Sequence, residues 1–381
     1  MNPPSSSDAS RRSFLLASLG AAVRTSLAQS PETHPWSGAA QKLQNAVDAG
    51  TVRSAVLHVT HYRKKTPEVF SLAFGKAVTH DAMFLLGSIS KPIVITGLMT
   101  LMEKKVFRLE DKLSKFLPAF RGEGREEVTI REVLTHVSGL PDQVANNAEL
   151  RKNHAPLAEF IRAAERTPLL FKPGSRYEYS SMGILLASHL VEILTGEDIR
   201  TFTQRVVLDP LGMKRSAQGL GHFELKDVEA MQIEYAAPEA GGGDPASVGW
   251  NWNSAYWRAL GAPWGGTHAS AGDVSRWLTE FLLEEGRVLR PETARTMITN
   301  HNPAGMPPRG LAFHVGTTLA GKGMSERLFG HTGSTGTIAW ADPVLRTVCV
   351  VLTTLPARAV TPHPRDLASD AVAEAARSQR E

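Results

Sequence analysis

The sequence predicts an α/β protein: an antiparallel sheet flanked by helices, with a mostly helical section inserted between the two halves of the sheet. Three observations predict it. Apolar, β-branched runs lie at both ends of the chain, at Val52–Thr60 and Val69–Val78, then again at Thr337–Ala341 and Val344–Thr353. A helix apolar on nearly every face, Ile93–Met102, follows the first pair and should be buried. The stretch from 109 to about 235 carries helical periodicity. Late strands joined by short turns imply antiparallel pairing, because parallel neighbours need a long crossover.

Taken in order, the first two runs read as a hairpin across the basic segment His61–Lys65, which reads as a solvated strand end and turn. Phe84–Leu86 leads into Ser88, and Pro92 falls in the first turn of the next helix, where a missing N–H is tolerated. Helices are predicted at Ile130–His136, Leu157–Glu165 and Ile184–Leu194. A loop rich in Gly, Ala and Pro, Tyr235–Gly249, leads into Trp250, Trp252, Tyr256, Trp257 and Trp264. These aromatics fit either packing or the wall of an acyl pocket. Ser270 and Asp273 make a helix start for Val274–Leu283. Leu311–Thr317 reads as a further strand and Arg365–Arg377 as the last helix. The expected division is an α/β part from 36–108 plus 262–381 and an inserted helical part, 109–261, with a site at their junction.

The chain has 381 residues and a formal charge of +4 from 42 basic and 38 acidic side chains. No basic block is long enough for a nucleic-acid groove. No His or Cys cluster suggests a metal, and no glycine-rich phosphate loop follows a strand. No cofactor is therefore expected. Cys349 is the single cysteine and sits in an apolar run, so an intrachain disulfide is excluded and a buried packing role is expected. At the N-terminus, Ser10-Arg-Arg-Ser-Phe-Leu-Leu16, an apolar stretch from Phe14 to Val23 and Ser26-Leu-Ala28 resemble a twin-arginine export signal over residues 1–28. The apolar stretch is too short to span a bilayer. A periplasmic or secreted protein without a stable membrane anchor is expected.

Three motifs carry chemistry. Ser88-Ile-Ser-Lys91 places a hydroxyl and an amine three residues apart, on one helical face. Ser88 gains the positive potential of a helix N-terminus, and a desolvated Lys91 can accept its proton. Tyr179-Ser-Ser181 follows a Pro-Gly turn; a phenol beside an ammonium ionises more easily and can relay a proton. His331-Thr-Gly333-Ser-Thr-Gly336 puts glycines where a strand edge approaches something closely. The backbone N–H of Ser334 can pair with that of Ser88 to hold an oxyanion. Taken singly, each motif also fits a surface pair, a structural tyrosine or a glycine-rich turn. His136 and His268 lack acid–base spacing and read as structural or rim residues. There is no Gly-x-Ser-x-Gly elbow, which disfavours an α/β-hydrolase.

In this order the motifs resemble the serine β-lactamase and penicillin-recognising family, in its class C, D-alanyl-D-alanine carboxypeptidase and esterase branch. Leu134-Thr-His-Val-Ser-Gly-Leu140, Pro173-Gly-Ser-Arg-Tyr-Glu-Tyr179 and Leu194-Thr-Gly196 look like that branch's helical-domain signatures. The resemblance implies an acyl-enzyme on Ser88, Lys91 as proton acceptor, and Tyr179 as general base and acid. It places Ser181, His331, Thr332 and Gly333 beside the substrate. Two positions depart from the pattern. Ser181 replaces an Asn that binds a substrate amide, and His331 replaces a Lys, carrying charge only partly at neutral pH. Both departures weaken β-lactam hydrolysis and suit a peptidase, amidase or esterase. The expected function is an exported serine hydrolase of a small-molecule or peptide amide or ester. The other expectation is a binding protein for penicillin or cell-wall peptide that is acylated without efficient turnover.

Overall fold

The computed structural model describes residues 34–379, except 64, 65, 78, 320 and 322. The twin-arginine segment lies outside the described residues. The strands are β1 (Ser54–Arg63), β2 (Thr66–Gly75), β3 (Phe84–Leu85), β4 (Ser216–Gln218), β5 (Thr267–Ala269), β6 (His314–Val315), β7 (Phe329–Gly333), β8 (Thr337–Asp342) and β9 (Thr347–Thr353). The helices are α1 (Ser37–Asp48), α2 (Ser90–Glu103), α3 (Ile130–Leu134), α4 (Asn147–Lys152), α5 (Leu157–Arg166), α6 (Ser181–Thr195), α7 (Ile199–Thr203), α8 (Ala255–Leu260), α9 (Ala271–Leu283), α10 (Pro291–Met297) and α11 (Pro364–Ser378).

The main sheet is antiparallel with strand order β2-β1-β9-β8-β7-β6, so the N-terminal hairpin pairs directly with the last strand. Side chains alternate across it with the period of two that a strand imposes. Leu57, Val59, Trp340, Cys349 and Val351 join Trp36, Leu43 and Val372 on the face covered by α1 and α11. Val56, Ala339, Val348, Val350 and Leu352 join Val274, Trp277 and Leu278 of α9 on the other face. That second core continues without a break into the helical section through Leu134, Phe160, Leu186 and Phe202. All but two residues of α2 are buried, as its unpatterned apolarity implies.

Several details depart from the sequence expectations. The run Leu311–Thr317 yields only the two-residue β6, because Ala312 and Gly316 adopt left-handed backbone (φ 63° and 64°) and interrupt the extended chain. A second small sheet, β3-β5-β4, draws β4 from within 109–261 to pair with β5, so the helical section contributes a strand of its own. The segment beginning at His61 is less solvated than its composition suggests. His61 and Tyr62 are buried, and His61 Nδ1 contacts Thr347 Oγ1 at 2.9 Å. Cys349 is fully buried, and burial pushes its thiol pKa up, leaving it unreactive. Among the described residues, no group of His, Cys, Asp or Glu is arranged to hold a metal, and no helix is long and apolar enough to cross a membrane.

Candidate active site

Ser88 sits in a tight 3₁₀ turn, Gly87–Ile89, that opens directly into α2. Gly87 is required there. Its φ is 58°, and a Cβ would lie 2.8 Å from Thr335 Oγ1 and 3.2 Å from Ser334 N. The turn is stitched to both sheets. Thr337 Oγ1 donates to Leu86 O at 2.7 Å, Leu86 N donates to Thr267 O, and Thr267 N donates to Ser90 Oγ. Arg365 Nη1 donates to Gly333 O and Thr337 O, and Ala357 N donates to Ser334 O. The end of β7 is thereby fixed against the Ser88 turn, with the backbone of Ser334 beside it. Rigid placement of this kind is what an oxyanion site requires.

Lys91 Nζ donates to Ser88 Oγ and to Trp264 O, each at 2.9 Å. The side chain is fully buried. Desolvation lowers its pKa to about 7; Asp142 opposes that shift and Arg309 adds to it. A substantial fraction is therefore neutral amine near neutral pH and able to accept the serine proton. Tyr179 stands on the other side, with Lys91 Nζ 4.8 Å from its ring centre. Its hydroxyl lies near enough to Ser88 to feel it but completes no hydrogen bond. Here the structure corrects the sequence expectation. Burial outweighs the neighbouring cations and raises the Tyr179 pKa, so the resting group is a neutral phenol.

The other sequence-selected residues are brought to the same place. Ser88, Tyr179 and Ser334 stand at the junction of two cavities, one of about 240 Å³ that includes Ser181, the other of about 330 Å³ that includes His331, Thr332 and Gly333. Ser181 is committed to a neighbour that the sequence did not mark. Its N–H and Oγ both donate to Asp142 Oδ1, at 2.9 and 2.6 Å.

His331 differs most from expectation. It is fully buried, Nδ1 donates to Thr332 O at 2.6 Å, and its pKa is held well below 6.5 by burial, Arg309 and Lys91. It is a neutral imidazole, not a partial cation. Two arginines line this side, Arg365, which pairs with Asp366, and Arg309. Arg309 Nη2 donates to Tyr177 Oη, while Nε and Nη1 are buried without a protein partner. No local pattern announced Arg309; it comes from an irregular loop between α10 and β6.

His136 lies beneath the site. It has φ 62°, accepts Ser180 N–H at Nδ1 (3.1 Å), and stacks obliquely on Tyr179 at 4.6 Å between ring centres. It supports the tyrosine. His268 is buried in β5 with Nδ1 donating to Gly219 O and a pKa lowered to about 3 by burial. Trp252, Trp257 and Trp264 both pack in the core and wall the first cavity.

Comparison with known proteins gives consistent relatives. Residues 39–374 match the sequence model of a family described as Beta-lactamase. A protein of Salmonella enteritidis PT4 (strain P125109), provisionally named a D-alanyl-D-alanine carboxypeptidase, is 25% identical over 353 residues, spanning 81% of this chain and 80% of its own. Esterase EstB of Burkholderia gladioli is 30% identical over 155 residues, 37% of this chain and 39% of its own length. The solved structure of EstCE1, described as a hydrolase with promiscuous acyltransferase activity, superposes with a TM-score of 0.70 at 21% identity, over 89% of this chain and 99% of its own. That last likeness is one of fold.

Proposed function

Because the chain belongs to the Beta-lactamase family of hydrolases, we propose that it is a serine hydrolase that forms an acyl-enzyme on Ser88 and releases it with water. One observation carries the reading: a buried Lys91 amine, with its pKa lowered to about 7, in hydrogen-bond contact with the Ser88 hydroxyl. In the neutral form Lys91 takes the hydroxyl proton as Oγ attacks the substrate carbonyl carbon. The carbonyl electrons shift onto oxygen, which the backbone N–H groups of Ser88 and Ser334 receive. Collapse breaks the ester or amide bond. The departing oxygen or nitrogen takes a proton from Tyr179, which recovers one from the Lys91 ammonium. The second half repeats these transfers with water as nucleophile.

The substrate preference runs toward esters and small amides over β-lactams. Ser181 holds Asp142 and offers no two-sided amide contact, and His331 offers no charge. Arg309 is the group positioned to face a substrate carboxylate on the β7 side. The reading also includes export, supported by Arg11-Arg12 and the apolar segment after it.

Labelling by a fluorophosphonate probe tests the nucleophile: Ser88→Ala should abolish it, and labelling at the wild-type rate would place the nucleophile elsewhere. A burst of p-nitrophenol without steady turnover from p-nitrophenyl butyrate would favour the acylated binding protein instead. Faster wild-type hydrolysis of nitrocefin than of that ester would overturn the stated preference.

A further inference from the structure

The lining of the first cavity includes a buried cation that the reaction above does not use. Arg151, on α4, is 4% exposed and lines the same cavity as Ser88. Its guanidinium carbon lies 3.7 Å from the centre of the Trp257 ring, and Nε and Nη1 have no protein partner. Asn147, one helical turn earlier, is also buried, with both amide atoms unpartnered. Among the described residues no carboxylate forms an ion pair with Arg151. Burial lowers its pKa to about 10, which leaves it charged at neutral pH, and Glu239 and Tyr256 act on it only at longer range. A desolvated charge left without a counter-ion is unfavourable. Stacking on one indole offsets part of that cost.

The cavity's other charges do not neutralise it. Asp142 is engaged by Ser181, while Glu239 and Arg358 are exposed at the rim. Trp252, Trp257 and Trp264 supply apolar wall to the cavity that Ser88 and Arg151 both line. The lining thus fits a ligand that is apolar along its length and anionic at its tip.

We propose that this cavity is the acid-side subsite of the hydrolase and that Arg151 receives a terminal carboxylate on the substrate's acyl group. The favoured substrates are then half-esters and half-amides of dicarboxylic acids, or acyl groups with an equivalent anionic end. The proposal rests on the Ser88 reading and specifies its substrate. The anion replaces water around the guanidinium and completes a charge-assisted fork of hydrogen bonds.

The test compares two matched series in the full chain: p-nitrophenyl hydrogen succinate, glutarate, adipate and suberate, and the corresponding methyl esters. Wild type should favour one chain length of the free acid over its methyl ester by about 10- to 100-fold in kcat/KM, the range for a hydrogen bond to a charged group. Arg151→Met should remove that preference while keeping turnover of the methyl ester, and Arg151→Lys should retain part of it. Met matches the length and apolarity of the buried stem, and thermal unfolding of each variant checks the fold. Glu239→Gln should increase the preference by removing a like charge from the rim. No preference in wild type at any length, or a preference that survives Arg151→Met, overturns the proposal. In either case the methyl esters still report on Ser88, so the two readings fail separately.

Discussion

At the scale of residues, the site depends on burial setting protonation states in opposite senses. Lys91 titrates near 7, so kcat/KM should rise with pH through that region as the neutral amine accumulates. A profile flat from pH 5.5 to 8.5 would remove Lys91 as the base. The same burial affects stability. The unfolded chain holds this lysine protonated up to about 10.5, whereas the folded protein releases the proton near 7. The buried amine is therefore destabilising, fully so below pH 7, and the penalty fades as pH rises toward 10.5. Lys91→Met should abolish turnover yet raise the melting temperature at pH 6, with the gain shrinking by pH 10. The stability difference is on the order of a few kcal/mol, since each pH unit of separation corresponds to about 1.4 kcal/mol. Tyr179→Phe removes one hydroxyl from a well-packed ring and should lower turnover by about 10²-fold or more without unfolding the protein. An unchanged rate would leave Tyr179 a packing residue. Arg309→Ala should raise KM for carboxylate-bearing leaving groups and spare neutral esters. Because Arg309 stays charged while His331 is neutral, that preference should not change between pH 5.5 and 7.5. A loss centred near pH 6.5 would restore the charge to His331.

At the scale of elements, the site is three junctions held by short contacts: a 3₁₀ turn entering α2, the first residue of α6, and the end of β7. Ser180 caps α6, accepting Gly183 N–H and donating to Pro141 O, which fixes Tyr179 and Ser181 on adjoining sides of one helix start. Gly87 permits the close approach of the Ser88 turn to Ser334 and Thr335. Gly87→Ala should therefore depress kcat more than KM, because it separates the backbone N–H groups of Ser88 and Ser334 proposed to hold the oxyanion, and should lower the melting temperature as well. Wild-type kcat in that variant would show that the approach is not needed. The identities of β1, β2, β8 and β9 and of α2, α3, α5, α6, α9 and α11 were legible from periodicity, whereas α1, α4, α8 and β4 were not marked by it. The end of the Leu311–Thr317 run was not, because Ala312 adopts a left-handed backbone that its residue type does not suggest.

At the scale of the whole molecule, chain topology and physical core divide differently. The sequence reads 109–261 as an inserted helical section, yet one apolar cluster runs from sheet residues such as Val350 to residues of that section such as Leu186. Heat unfolding should therefore be a single transition, with calorimetric and van't Hoff enthalpies in agreement. Two separated transitions would show that the helical section is stable by itself.

The sequence by itself determined the fold class and pointed to Ser88, Lys91 and Tyr179 as the candidate reactive groups. Periodicity and a three-residue helical spacing are local properties, and local properties are written in consecutive residues. Only the tertiary structure decided the charges. His331 is neutral because a closed core and Arg309 surround it, Tyr179 is a phenol because burial of its hydroxyl outweighs the nearby cations, and Arg151 is a cation without an ion-pair partner because α4 sets it against Trp257. Protonation and electrostatic partnership depend on desolvation and on neighbours remote in the chain, and these exist only once the chain has folded.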